Sequence, residues 1–198
     1  LAVQNVAWDN RWQNNGSAYA HWDCVLDTRT NLIWEVKTSP FDTATTSAAN
    51  TYSWYEYYAN PSYDPAVDAP KYAPHFSGFA NKGECVSPSG ECDTLGYKKQ
   101  MNAESICGAN GTWRLPTVAE LKTLNVCTTD TETCKLSNTT YTSLDHFPNT
   151  RRGYYWSNEM SIDLDKSTPA VDFRSGETVN ALKDSGHYIR LVFSAPAP

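Results

Sequence analysis

The sequence predicts an α+β domain held together by disulfides. Three observations carry this. Short apolar and aromatic runs separated by turn residues read as strands near both ends of the chain. Two segments in the middle carry helix-start signals. Six cysteines, at 24, 85, 92, 107, 127 and 134, form an even set. Strands in small groups beside a few short helices suit a layered α+β architecture.

The elements follow in chain order. Residues 1–22 are polar but hold Trp8, Trp12 and Trp22. Cys24-Val25-Leu26-Asp27 and Leu32 to Val36 flank Thr28-Arg29-Thr30-Asn31, so a hairpin is predicted. Residues 38–92 read as a long irregular insertion, because Pro40, Pro61, Pro65, Pro70 and Pro74 disfavour a long helix or a central strand. Asp93 or Thr94 is suited to cap a helix running to about Cys107 and stopping at Gly108. Thr117-Val118-Ala119-Glu120 is a capping box that opens a second helix, through about Leu124. Residues 125–150 read as loop. Strands are predicted at Tyr154–Ser157, Ala170–Phe173, Glu177–Leu182 and His187–Phe193, with a turn at Arg174-Ser175-Gly176. Ala195 to Pro198 reads as a tail or linker, leaving one domain over 1–194.

The chain has 198 residues and a formal net charge of -6. A pI near 5.1 argues against nucleic-acid binding, which needs a basic face. Aromatics make up 13% of the chain, enough to fill a core and still leave rings for recognition. Mean hydropathy is -0.56, and no apolar run approaches the roughly 18 residues of a membrane span. Cys85/Cys92 and Cys127/Cys134 each enclose six residues, too many for the tight thiol pairs of a zinc site, and no histidine stands at ligand spacing. Disulfides are therefore expected, and with them an oxidising, extracellular setting. Leu1 follows no initiating Met, basic stretch or apolar leader, so a mature exported domain or a piece of one is expected.

A set of spaced blocks resembles a family. They are Cys24-Val25-x-Asp27 with Thr30, Leu32, Trp34 and Glu35; Asn102-Ala103, Cys107-Gly108 and Trp113-Arg114-Leu115-Pro116-Thr117-x-x-Glu120-Leu121; Phe147-Pro148-Asn149-Thr150 with Tyr155-Trp156-Ser157; Val171-Asp172-Phe173-x-x-Gly176; and Tyr188-Ile189-Arg190-Leu191-Val192. Together these are similar to the C-terminal domain family of the Legionella collagen-like adhesin. The blocks cover 24–36 and 93–193. The resemblance implies an exported bacterial domain, often part of a longer surface protein. It implies a fold akin to C-type lectins and sulfatase-modifying proteins, with short helices on small antiparallel sheets. The founding member is similar to adhesins that bind sulfated polysaccharides.

Three disulfides are expected: local clips Cys85–Cys92 and Cys127–Cys134, and Cys24–Cys107 tying the hairpin to the first helix. The Trp113–Thr117 block is read as structural, since no nucleophile with an adjacent base stands in it. Trp113 is expected beside the final strand, and Arg114 is expected to meet Glu35 or Asp172. Trp156-Ser157-Asn158-Glu159 and Phe147-Pro148-Asn149 resemble calcium blocks of C-type lectins. Calcium wants several hard oxygens, and Phe147 stands where a carboxylate would be. No cofactor is expected; calcium, with Asp163 and Asp165 as extra donors, is the minor reading. No Gly-x-Ser-x-Gly, His-Glu-x-x-His or phosphate loop is present, so no enzymatic activity is expected.

Binding is assigned to aromatic rings and an arginine pair. Trp54, Tyr55, Tyr57 and Tyr58 offer flat faces to sugars and hydroxyls to their edges, against the plainer reading that they anchor the insertion. Arg151 and Arg152 are suited to clamp a sulfate or carboxylate, against the plainer reading that they are solvated. The expected function is a non-enzymatic adhesion domain, secreted or at the bacterial surface, binding a glycan or a surface protein. The alternative is a structural or protein-binding tip of a pilus or fibre. Neither nucleic acid nor membrane insertion is expected.

Overall fold

The computed structural model describes residues 3–5, 24–59, 61–62, 64–69, 73–108, 113–124, 147–161 and 166–195. Its elements are β1 (Val3–Asn5), β2 (Cys24–Asp27), β3 (Leu32–Glu35), β4 (Tyr55–Tyr58), β5 (His75–Gly78), α1 (Thr94–Ala103), α2 (Val118–Thr123), β6 (Tyr154–Trp156), β7 (Ser167–Asp172), β8 (Thr178–Leu182) and β9 (Val192–Ser194). The architecture is α+β, with few helices and small antiparallel sheets: β1-β2-β3-β9, β4-β5 and β6-β7-β8.

The β2–β3 hairpin forms where the sequence places it. Asn31 takes the left-handed conformation that closes the turn, with φ of 55°. The Asp27 carboxylate accepts from the Arg29 amide at 2.9 Å. Register puts Val25, Trp34 and Val192 on one face and Leu26, Ile33 and Phe193 on the other. Both faces are buried, in two separate apolar clusters. The β6–β7 pair repeats the device: Trp156 and Ala170 join the first cluster, Tyr155 and Val171 the second. Strands buried on both sides read as continuous apolar runs, which is why their periodicity is weak in the sequence.

Both helices start at the expected caps. The Asp93 side chain accepts from the Gly96 amide at 2.8 Å. Thr117 and Glu120 form the complete capping box. The first helix is shorter than expected. It ends at Ala103, because Ser105 turns left-handed with φ of 49°, and a separate 3-10 turn at Ile106–Gly108 carries Cys107 to its partner. Cys24–Cys107 and Cys85–Cys92 are both formed. Cys127–Cys134 lies outside the described residues, as do Trp8, Trp12, Trp22, Asp163 and Asp165. The last strand is also shorter than expected. Only Val192–Ser194 is regular, while His187 and Tyr188 make isolated bridges to Tyr52 and Tyr155.

The 38–92 segment is more than an irregular excursion. Ala48, Tyr52 and Trp54 are buried in the core, and β4 pairs with β5 within the segment. The Cys85–Cys92 clip stands directly before the α1 cap.

The buried arginine of the fold is Arg190, not Arg114. Its Nη1 donates to the Glu35 main-chain oxygen at 2.7 Å and its Nη2 to Thr150 Oγ1 at 2.9 Å. The guanidinium lies 4.3 Å from the Phe147 ring centre. The Glu35 carboxylate accepts from Lys37 Nζ at 2.7 Å, from the Leu191 amide at 3.0 Å, and from the Tyr97 hydroxyl. Burial lowers the pKa of Lys37 and of Arg190 and raises that of Tyr97. Glu35 thus serves both buried cations, Lys37 through its carboxylate and Arg190 through its main-chain oxygen.

Candidate functional site

Strand alternation divides the aromatic run of β4 between two faces. Trp54, Glu56 and Tyr58 fall on one side, Tyr55 and Tyr57 on the other. Trp54 is not a surface ring. It is 1% exposed, and its indole N–H donates to the Ser157 carbonyl at 2.9 Å. The Lys183 ammonium lies 4.9 Å from its ring centre. The tryptophan fixes the base of the hairpin in the core and forms part of a cleft wall.

The outer face carries an aromatic ridge. Phe76 on β5 stacks on Tyr55 at 5.5 Å with an interplanar angle of 19°. It meets Tyr57 edge-on at 5.2 Å. Tyr57 is 53% exposed and Phe76 55%. The hairpin that displays them is anchored to α1. The Thr94 hydroxyl accepts from the Tyr55 amide at 2.9 Å and donates to the Tyr55 carbonyl at 2.7 Å. Gly78, with φ of +101°, lies so close to the Trp54 carbonyl that a Cβ there would overlap it. A rigid strand pair therefore holds large rings in water, where burial by a ligand is favourable.

Beside the ridge lies a cleft of about 210 Å³. Trp54, Tyr57, Tyr58, Leu115 and Met160 give it apolar walls, and Glu56, Lys98, Arg114 and Asn158 give it polar ones. Tyr57 belongs to both ridge and cleft. The cations lining the cleft are paired. Lys98 forms an ion pair with Glu56. Arg114 holds Glu120 in a two-pronged pair, with Nη1 at 2.8 Å and Nη2 at 2.7 Å. The Arg114 hydrogen bond is the main reason the Glu120 carboxyl titrates below the usual range. Glu56 Oε1 is buried and accepts no hydrogen bond among the described residues.

This corrects the expected partner of Arg114. Glu35 is committed to Lys37 and Tyr97, and Asp172 is clasped by Arg174 at 2.8 Å. Glu120, in the first turn of the helix that follows the arginine, takes the role, and the pair remains partly exposed. Trp113 does lie beside the final strand. It is 2% exposed, stands edge-on to Phe193 at 4.6 Å, and its main-chain N–H and C=O are both held by the Asn102 side chain.

Of the residues assigned to binding from sequence, the fold gathers Trp54, Tyr57 and Tyr58 at the cleft and sets Tyr55 on the ridge. Arg151 and Arg152 are exposed on the turn before β6 and do not line the cleft. Phe76, Glu56, Lys98 and Met160 went unassigned. Phe76 sits between Pro74 and Gly78, a setting that hid its strand. Lys98 lies on α1 one turn past its start, and only the docking of β4 on that helix brings it to Glu56. Among the described residues no group of three or more His, Cys, Asp or Glu side chains could hold a metal ion. No helix among them is long and apolar enough to cross a membrane.

The family model described as the Lcl C-terminal domain matches residues 23–193. No curated protein and no solved structure matches the chain.

Proposed function

The chain belongs to the Lcl C-terminal domain family, and from that premise we propose that it is a non-enzymatic, extracellular adhesion domain that binds a glycan through the β4–β5 hairpin. The family places it among adhesin-associated surface domains. The observation that carries the glycan reading is the ridge of Tyr55, Phe76 and Tyr57 beside a cleft with polar walls. Sugars present apolar C–H faces and polar edges, and such a surface offers complementary partners to both. The kinship with C-type lectins that the resemblance implies belongs to this proposal, without calcium as the sugar-binding ion. A glycan array probed with and without EDTA tests it. Binding that survives EDTA and is lost in Tyr57→Ala is expected. Binding abolished by EDTA would overturn the calcium-free mode.

A second reading, a protein-binding tip module of a surface fibre, has one observation in its favour. Phe41 is 93% exposed. It stands on a loop closed by Thr38 amide to Thr46 oxygen and Ala48 amide to Thr38 oxygen, at 3.1 and 3.2 Å. A large ring held out by an ordered loop suits an apolar pocket on a protein partner. Phe41→Ser would abolish capture of that partner and leave glycan binding intact.

A further inference from the structure

Resting on the glycan reading of the hairpin, we infer that the cleft selects an uncharged, hydroxyl-rich saccharide over a sulfated one. Lys98 is occupied by Glu56, and Arg114 by both oxygens of Glu120. The two cations that a sulfate would seek are neutralised within the protein. The Asn158 amide N–H donates to the Pro116 carbonyl, while its side chain makes no hydrogen bond among the described residues. Glu56 Oε1 is buried without a donor.

A buried carboxylate oxygen without a partner requires an N–H or O–H. A sugar hydroxyl supplies one. A sulfate has only acceptor oxygens and would meet Glu56 as like charge against like charge. The hydroxyl that donates to Glu56 leaves its own lone pairs for a donor, which the side-chain NH2 of Asn158 provides. Tyr57, shared by cleft and ridge, gives the apolar face of the same pyranose a ring to cover.

Net charge and the pairing of Arg174 also disfavour a polyanion. Net charge is -6, so the long-range field repels one. Arg174 is bound to Asp172 through Nε at 2.8 Å and Nη2 at 2.8 Å.

The test compares the intact chain with Glu56→Gln and Tyr57→Ala on immobilised uncharged oligosaccharides (glucose-, galactose-, mannose- and N-acetylhexosamine-terminated) and on heparin. The intact chain is expected to bind at least one neutral glycan, with little change between about 0.05 and 0.3 M salt because no ion pair is made. Glu56→Gln is expected to weaken that binding about tenfold, the loss of a charge-assisted hydrogen bond, and to increase retention on heparin. Tyr57→Ala is expected to abolish it. Melting temperatures measured alongside confirm that each variant is folded. Salt-sensitive binding to heparin alone would overturn the selectivity and leave the glycan function standing. Neutral binding unaffected by Glu56→Gln would overturn the role of the cleft. Binding to an amine-bearing saccharide alone would show that Glu56 selects a cation, which also overturns the inference. No binding to either class by a folded chain would overturn the glycan reading itself.

Discussion

Trp54 and Trp156 each donate an indole hydrogen bond to the backbone beside the other. The Trp54 indole N–H donates to the carbonyl of Ser157, the neighbour of Trp156, at 2.9 Å. The Trp156 indole N–H donates to the carbonyl of Tyr52, two residues before Trp54, at 2.6 Å. Two large side chains thus bury their only polar atoms by satisfying carbonyls of neighbouring residues, Ser157 and Tyr52. The clasp joins the proline-rich segment to the three-stranded sheet and sets where the β4–β5 hairpin emerges.

Removing the clasp and removing the ridge should have opposite signatures. Trp54→Ala opens a large cavity and frees a buried carbonyl, so a loss of about 3–5 kcal/mol is expected in denaturant unfolding. Tyr57→Ala, at a half-exposed position, should change stability by about 0.5 kcal/mol or less while removing binding. A Trp54→Ala variant as stable as the parent would show that the hairpin is not seated on the core as described.

The two arginines should also separate. Glu35→Gln leaves Lys37 buried without its carboxylate partner and removes the negative charge near Arg190, whose bond to the Glu35 main-chain oxygen stays, at an expected cost of about 3–5 kcal/mol. Arg114→Ala removes a partly exposed pair, worth about 1 kcal/mol or less after solvent screening. Thr117→Ala should cost about 1 kcal/mol through the lost cap. Thermal melts of the three variants check the order. Arg114→Ala falling further than Glu35→Gln would reverse it.

The disulfides should rank by the loop they close. Cys24–Cys107 spans 83 residues in sequence and Cys85–Cys92 spans 7. Loop entropy gives about 4–5 kcal/mol for the first and about 2–3 kcal/mol for the second. Cys24→Ser should therefore lower the unfolding midpoint more than Cys85→Ser does. Equal midpoints would mean that the denatured chain is compact enough to cancel the difference in loop length.

Acid should weaken the fold through His187. Burial against Tyr154 and Trp156 lowers its pKa below the ordinary value, only partly offset by its backbone hydrogen bond at Gly186. With the folded pKa depressed, the unfolded chain binds the proton more readily. Stability is then full above about pH 6.5 and declines as pH falls through and below that value. His187→Phe keeps an aromatic ring and should flatten the dependence of melting temperature on pH between about 7.5 and 5.5. A variant as pH-sensitive as the parent would place the titrating group elsewhere.

What could be read from the sequence was local. The Thr117–Glu120 capping box, the Asp93 cap, the Asn31 turn and the Cys85–Cys92 clip all depend on residues within a few positions of one another. Long-range Cys24–Cys107 was legible because cysteines can be counted and paired. The role of Trp54 was not legible, since its partner Ser157 stands 103 positions away. Arg114 and Arg190 look alike in sequence. Only the fold reveals that Arg190 is sealed behind Phe147 and Glu35, while Arg114 opens onto the cleft. The cleft itself draws on β4, α1 and the residues following β6, so no stretch of sequence contains it.

The most direct test of the account is the binding of the folded Tyr57→Ala variant to whichever uncharged glycan the parent retains. Tyr57 alone joins the aromatic ridge to the cleft, and its side chain is exposed enough for removal to leave the fold intact. The account predicts a melting temperature within about 2 °C of the parent and a loss of binding of at least tenfold. Undiminished binding by a folded variant would contradict it and move the recognition surface off the β4–β5 hairpin.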